Sequence, residues 1–193
     1  MVGTNRMDYD AGAGLSRTFV GHGSDGLVRI SNATLCGLKA DGSILAWGRN
    51  HLGQCTVPEP NTGFVAIAAC NWRSLGLRSD GSIVAWGDCS SGLCDVPEPN
   101  TGFVAIAGGL FHSLGLKADG SIVAWGNNDL DQCNLPASNT GFVALAAGYG
   151  HGLGLKSDGS LVGWGWNDNG QASVPVPNTG FVALAVGSLH SLG

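Results

Sequence analysis

A 12-residue string recurs at a fixed step of 39 residues: GLKADGSILAWG from Gly37, GLRSDGSIVAWG from Gly76, GLKADGSIVAWG from Gly115 and GLKSDGSLVGWG from Gly154. A second string, NTGFVAIA or NTGFVALA, keeps the same step and holds Phe64, Phe103, Phe142 and Phe181 in register. A unit of this length cannot bury its own apolar faces, so the copies must stack on one another. The sequence holds four copies and stops at Gly193, partway through a fifth. Towards the start the pattern fades. Leu27-Val28-Arg29-Ile30 reads as a degenerate first strand, and residues before about 25 do not fit.

Three runs in each unit read as strands. Phe64–Ala68 is apolar on both faces, as for a strand sandwiched between sheets. In Ser74–Arg78, Leu75 and Leu77 share one face and Gly76 takes the other, while in Ser82–Trp86 Val84 and Trp86 oppose Ile83 and Ala85. Asp41-Gly42, Asp80-Gly81, Asp119-Gly120 and Asp158-Gly159 separate the second and third runs. Asp-Gly between apolar runs is a hairpin signal, because such turns need φ > 0 at their central residues. The 33 glycines among 193 residues, against a usual share of ~7%, argue for tight turns and close backbone approach. The expected fold is all-β: a β-propeller of three-stranded antiparallel blades, with a linear β-solenoid as the competitor. Residues 26–193 are assigned to the repeats. Residues 1–25 are left as an N-terminal segment, either a closing strand (Ser16–Val20) or disordered.

Formal charge is −5 and Lys39, Lys117 and Lys156 lie far apart, so nothing resembles a basic patch for nucleic acid. The first residues lack the apolar core of a signal peptide, and no run approaches the ~20 apolar residues of a membrane span. The chain reads as soluble, with no compartment specified. The partner expected is a protein, with no nucleic acid and no membrane.

Gly53-Gln54-Cys55 followed by proline, GLKADGSIVAWG and FVAIAGGLFHSLGLK together resemble the repeats of the regulator of chromosome condensation family in its short bacterial form. They are also similar to the short repeats of the propeller-type β-lactamase inhibitory proteins. The resemblance implies a propeller, usually of seven blades, that binds other proteins through loops on one face. It also permits guanine-nucleotide exchange on a small GTPase. Seven units of 39 would need more than the 193 residues present, so a five-bladed ring and a fragment of a seven-bladed one both stay open.

Strand order predicts where recognition would lie. If the first strand of a unit ascends, the Asp-Gly hairpin lies at the bottom. Two loops then share the top: the one after the first strand and the one after Trp-Gly. The bottom hairpin is uniform, whereas the top loops differ from copy to copy. Aromatic residues anchor interfaces. Trp72, Phe111, Tyr149 and Trp166, with Arg73, Asp88, Asp129 and Asp168 around them, are therefore the candidate contact surface. Loops also drift between copies where nothing constrains them.

His112, His151 and His190 share a repeat column with Arg73 and Thr34. The alternative function is thus a metal-binding, ligand-binding or catalytic propeller with a site near the axial channel. Against metal, these histidines recur because the unit recurs, and each is explained by bonding to local backbone. Cys36 stands where Leu75, Leu114 and Leu153 stand and reads as a buried apolar residue. Cys55, Cys94 and Cys133 share a column on successive units, beyond disulfide reach of one another. Cys89 and Cys94, within CSSGLC, are able to pair. No nucleophile motif, phosphate loop or cofactor motif is present, and Glu59 and Glu98 belong to repeated turns. The expectation is a non-enzymatic interaction module without a cofactor.

Overall fold

The computed structural model describes residues 26–29 and 34–193. The expectations for residues 1–25, Ser16–Val20 among them, lie outside the described residues. The strands are β1 (Gly26–Arg29), β2 (Thr34–Leu38) and β3 (Ile44–Gly48), then β4 (Phe64–Ala69), β5 (Arg73–Arg78) and β6 (Ile83–Gly87). They continue with β7 (Phe103–Gly108), β8 (His112–Lys117) and β9 (Ile122–Gly126), then β10 (Phe142–Ala147), β11 (His151–Lys156) and β12 (Leu161–Gly165). Two short strands follow, β13 (Ala185–Val186) and β14 (Ser191–Leu192). Neighbours in sequence pair antiparallel, giving one three-stranded sheet per repeat and a two-stranded one at the end.

The core lies between the sheets. From one sheet come Ala66, Ala68, Leu75, Leu77 and Ile83; from the next come Phe103, Ile106 and Trp125 to meet them. The same exchange joins Leu114, Leu116 and Ile122 to Phe142, Leu145 and Trp164. In the three middle sheets, β4–β6, β7–β9 and β10–β12, one face is therefore leucine-rich and the other carries Phe and Trp, which is what stacking similar units requires. First strands converge: β4 packs on β7 and β7 on β10, with no comparable packing between β6 and β9. That convergence fits a radial arrangement and not a linear solenoid.

Two local expectations are corrected. Strand β4 is not apolar on two buried faces throughout, because the register jumps from Phe64↔Arg78 to Ala66↔Leu77. This bulge turns Val65 outward, and Val65, Val104 and Val143 are each 54% exposed. The hairpin, too, differs: φ is positive only at the glycine, 79° at Gly81, and not at Asp80. Gly81 N–H donates to Arg78 O (3.0 Å) and Arg78 N–H to Ser82 O (2.9 Å). The loop is thus a three-residue turn ending in a left-handed glycine. Asp80 is there as an acceptor, taking the Ser82 N–H (2.9 Å) and hydroxyl (2.6 Å).

Each hairpin also holds the next unit. Phe103 N–H donates to Gly81 O (3.0 Å), and Phe142 N–H to Gly120 O (3.0 Å). The asparagine of NTGF closes the outer strand: Asn100 accepts from Ile83 N–H (2.8 Å) and donates to Ile83 O (2.9 Å). The glycine in mid-strand has a packing reason. A Cβ on Gly115 would lie 2.6 Å from two ring carbons of Phe103. Gly115→Ala is expected to lower stability by about 1–3 kcal/mol through overpacking, read from the urea midpoint; an unchanged midpoint would mean the Phe103 ring moves freely.

Candidate docking face

Backbone hydrogen bonds tie the two upper loops of each sheet together. Asp88 N–H donates to Trp72 O (2.9 Å), Asn127 N–H to Phe111 O (2.9 Å) and Trp166 N–H to Gly150 O (2.8 Å). Further bonds link one sheet to the next, from Leu110 N–H to Gly148 O (3.2 Å) and from Tyr149 N–H to Ser188 O (3.2 Å). The side chains on these loops consequently fall into line. Ring centroids lie 6.4 Å apart for Trp72–Phe111, 5.4 Å for Phe111–Tyr149 and 5.7 Å for Tyr149–Trp166. All four rings are half-buried, so the row has one side against the protein and one side in water. Tilted and edge-on contacts of this kind hold rings in fixed positions.

Asp129 and Asp168 are exposed and Asp88 is half-buried. Asp129 accepts from Asn127 Nδ2 (2.7 Å). Hydrogen bonds from Ser90, backbone then side chain, hold Asp88 below the usual carboxylate range, and the positive charge of Arg73 adds to them. At the opposite end, Lys117 Nζ sits 3.8 Å from the Phe103 ring centroid, and Arg78 and Lys156 stack similarly on Phe64 and Phe142. The loops after β6, β9 and β12 carry aspartates and no lysine or arginine.

Arg73 departs from the expected contact set. It is 1% exposed and points into the joint between two sheets. Its guanidinium donates to Leu110 O (3.1 Å), Gly109 O (3.4 Å), the Ser113 hydroxyl (2.9 Å) and His112 O. A residue at the start of a second strand thus clasps the neighbouring unit instead of meeting solvent.

The histidines in the same column share that joint. His151 Nε2 lies 3.2 Å from the Ser191 hydroxyl, the counterpart of Arg73 and Ser113. His112 is fully buried, and both of its ring nitrogens lack a partner. The position that would face it with a hydroxyl is Gly152, where a Cβ would meet the Trp164 ring at 2.3 Å. Bonding to local backbone, the expected reason for the column, is replaced at Arg73 and His151 by contacts across units and is absent from the His112 ring. Burial is the main force lowering the His112 pKa to about 3 and that of His151 to about 4. No group of three His, Cys, Asp or Glu side chains able to hold a metal occurs among the described residues. A pocket beside β14, lined by Leu153, Leu161, Phe181 and Leu192, takes in His190 but neither His112 nor His151.

Cys36 is buried, and burial pushes its thiol up to about 11. Cys89 and Cys94 are disulfide-bonded, with Cα atoms 4.8 Å apart, while Cys55 and Cys133 are free. The buried glutamines carry a role that the repeat alone does not disclose. Gln54 O accepts the Trp86 indole N–H (3.0 Å) and Gln132 O that of Trp164 (3.1 Å). The signal was the Gln-Cys pair at Gln54-Cys55 and Gln132-Cys133; the Trp partner 32 residues away was not legible.

Residues 103–132 and 142–171 match the model of the regulator of chromosome condensation (RCC1) repeat. These two stretches are RCC1-type repeats. Its sheets are propeller blades, as in solved structures that it resembles. The ectodomain of the Physcomitrella patens receptor kinase CR4 aligns at 26% identity with a TM-score of 0.61, over 79% of this chain and 42% of that one. The CRINKLY ectodomain of the Arabidopsis thaliana receptor kinase ACR4 aligns at 28% and 0.59, over 79% of this chain and 52% of that one. Prp20p of Saccharomyces cerevisiae aligns at 21% and 0.63, over 77% of this chain and 46% of that one. The chain thus spans about half the length of these structures. No curated protein sequence matches it.

Proposed function

We propose that these RCC1-type blades form a non-enzymatic protein-docking module, and that the partner lies along Trp72, Phe111, Tyr149 and Trp166. The observation that supports this most is the unbroken row of four rings, built from positions that differ in every copy. Half-buried aromatic side chains supply contact area at low ordering cost, and their fixed arrangement pre-organises the surface. Asp88, Asp129 and Asp168 border the row and would favour a partner with positive charge facing them. The uniform hairpin end has a structural duty in every blade, which leaves it little freedom to discriminate. Prp20p was described together with its binding to Gsp1p and histones, so the fold is one that serves protein recognition.

Quantitative affinity capture with the full chain tests the assignment. Phe111→Ala with Tyr149→Ala is expected to lower capture of specific partners by tenfold or more, the effect of losing about 1.4 kcal/mol or more at an interface centre. Val104→Ser, on the exposed bulge, is expected to leave capture unchanged. Retention of every partner by the double variant would remove the aromatic row from the contact surface.

A further inference from the structure

The loop after Trp-Gly is closed in three blades by one polar clasp. Asn50 Oδ1 accepts the Cys55 N–H, Asn128 Oδ1 the Cys133 N–H and Asn167 Oδ1 the Ala172 N–H, each at 2.8 Å. A glutamine one residue earlier adds a second tie. Gln54 Oε1 accepts the Leu52 N–H (2.9 Å), Gln132 Oε1 the Leu130 N–H (2.8 Å) and Gln171 Oε1 the Asn169 N–H (2.9 Å). In the second blade the equivalent residues are Cys89, Leu93 and Cys94. The asparagine has become Cys89, the glutamine has become Leu93, and the two ends of the clasp are joined as a disulfide.

Exchanging both polar ties for one covalent bond changes the path of the loop. A short 3₁₀ turn forms at Ser90–Gly92, with Ser91 at φ 53°. Its turn bond runs from Leu93 N–H to Ser90 O (3.1 Å), whereas the other blades place theirs one residue earlier, as from Gly53 N–H to Asn50 O (3.3 Å). Trp125 pays for the new path in hydrogen bonding, since its buried indole N–H has no partner where Trp86 and Trp164 each have one. Neither Cys89 nor Leu93 has a side-chain oxygen that could restore a clasp.

We propose that the Cys89–Cys94 bond is a redox modification site that orders the loop beside Trp72 and that a low-molecular-weight or protein dithiol opens. A thiolate of the dithiol attacks Sγ of Cys89, which belongs to an exposed residue, while Cys94 is half-buried. The protein S–S bond breaks, Cys94 leaves as thiolate and takes a proton, and a mixed disulfide forms on Cys89. The second thiol of the reagent then displaces Cys89, which is protonated in turn. The reagent leaves as its disulfide, and the protein has gained two electrons and two protons. Afterwards the loop lacks the covalent tie and both polar ties at once, while its three counterparts keep theirs. Asp88 N–H, bonded to Trp72 O, sits at the edge of the opened segment. The consequence for docking rests on the function proposed above; the redox response does not.

Amide hydrogen exchange on the full chain, with and without excess dithiothreitol, is the test, with mass spectrometry confirming a gain of two hydrogens. Residues 88–95 are expected to exchange roughly tenfold faster after reduction, as local opening becomes easier. Segments 49–56, 127–134 and 166–173 should not change. The paired variant Cys89→Asn with Leu93→Gln rebuilds the polar clasp and is expected to show slow exchange with no response to dithiol. Unchanged exchange in the fully reduced wild type, failure of the bond to form under mild oxidant, or a dithiol response in the paired variant would each overturn the proposal. If the redox response is found but partner capture ignores it, the switch stands and its link to docking falls.

Discussion

Arg73→Ala is expected to cost about 3 kcal/mol or more of folding stability, a large share of the ~5–15 kcal/mol typical of a domain. The guanidinium is buried and serves three backbone carbonyls and one hydroxyl of the neighbouring blade. Removing it leaves those acceptors in a dry joint, and each buried orphan costs about 1–3 kcal/mol. Arg73→Lys should recover only part of the loss, because an ammonium on a flexible stem cannot span all four acceptors as the planar fork does. The measurement is the urea midpoint for wild type and both variants. Trp72→Ala, one residue away and half-buried, is expected to move the midpoint less. A loss below about 1 kcal/mol for Arg73→Ala would mean that water reaches the joint and takes over the hydrogen bonds.

The contrast between Trp72 and Arg73 shows how far the sequence could be read. Both vary between copies, and variation reads as surface when only one column is viewed. The column of Arg73, His112 and His151 varies for a different reason: Arg73 and His151 meet the next blade's hydroxyls at Ser113 and Ser191, whereas the matching position for His112 is Gly152 and offers none. Pairing across 40 residues leaves no local signature. By contrast, Asp80-Gly81, Gly76 and the spacing of Leu75 from Leu77 announce turn and strand through local chemistry, so the blade was legible from them. Val65 was misplaced because a bulge breaks the period of two, and no residue type marks this one. The disulfide was open as a possibility from CSSGLC. Its replacement of an asparagine clasp emerges only when the four loops are compared bond by bond.

Repetition also distributes the stability. The two central interfaces take Phe and Trp from one blade and leucines from its neighbour, so these blades stand or fall with their joints. The joints are where Arg73, His112 and His151 lie, which makes them sensitive to charge. A neutral histidine and a cation with four acceptors are both tolerated there. A newly protonated histidine is not, since it brings a charge without a counter-ion into the same dry space.

Mild acid is therefore expected to destabilise the protein well above the pH at which carboxylates titrate. Burial, with Arg73 and His151 nearby, lowers the His112 pKa from 6.5 to about 3; burial, with His190 nearby, lowers that of His151 to about 4. In the unfolded chain both return to about 6.5. Below that value the unfolded state binds protons that the folded state refuses, so stability falls as pH drops from 6.5 towards the folded values. From pH 7.5 to pH 5 each histidine should remove about 2 kcal/mol, or about 4 kcal/mol together. The turn residues Asp41, Asp80, Asp119 and Asp158 respond elsewhere. Hydrogen bonds from their serines hold them below 3.8, so what they contribute is lost only as pH falls beneath that range. Urea midpoints at pH 7.5, 6.5, 5.5 and 5.0 measure the effect. His112→Leu removes one titration and two orphaned nitrogens, and should roughly halve the slope while leaving neutral-pH stability equal or higher. A midpoint that stays constant from pH 7.5 to 5.0 would show that the two imidazoles reach solvent, and that the joints between blades are wet.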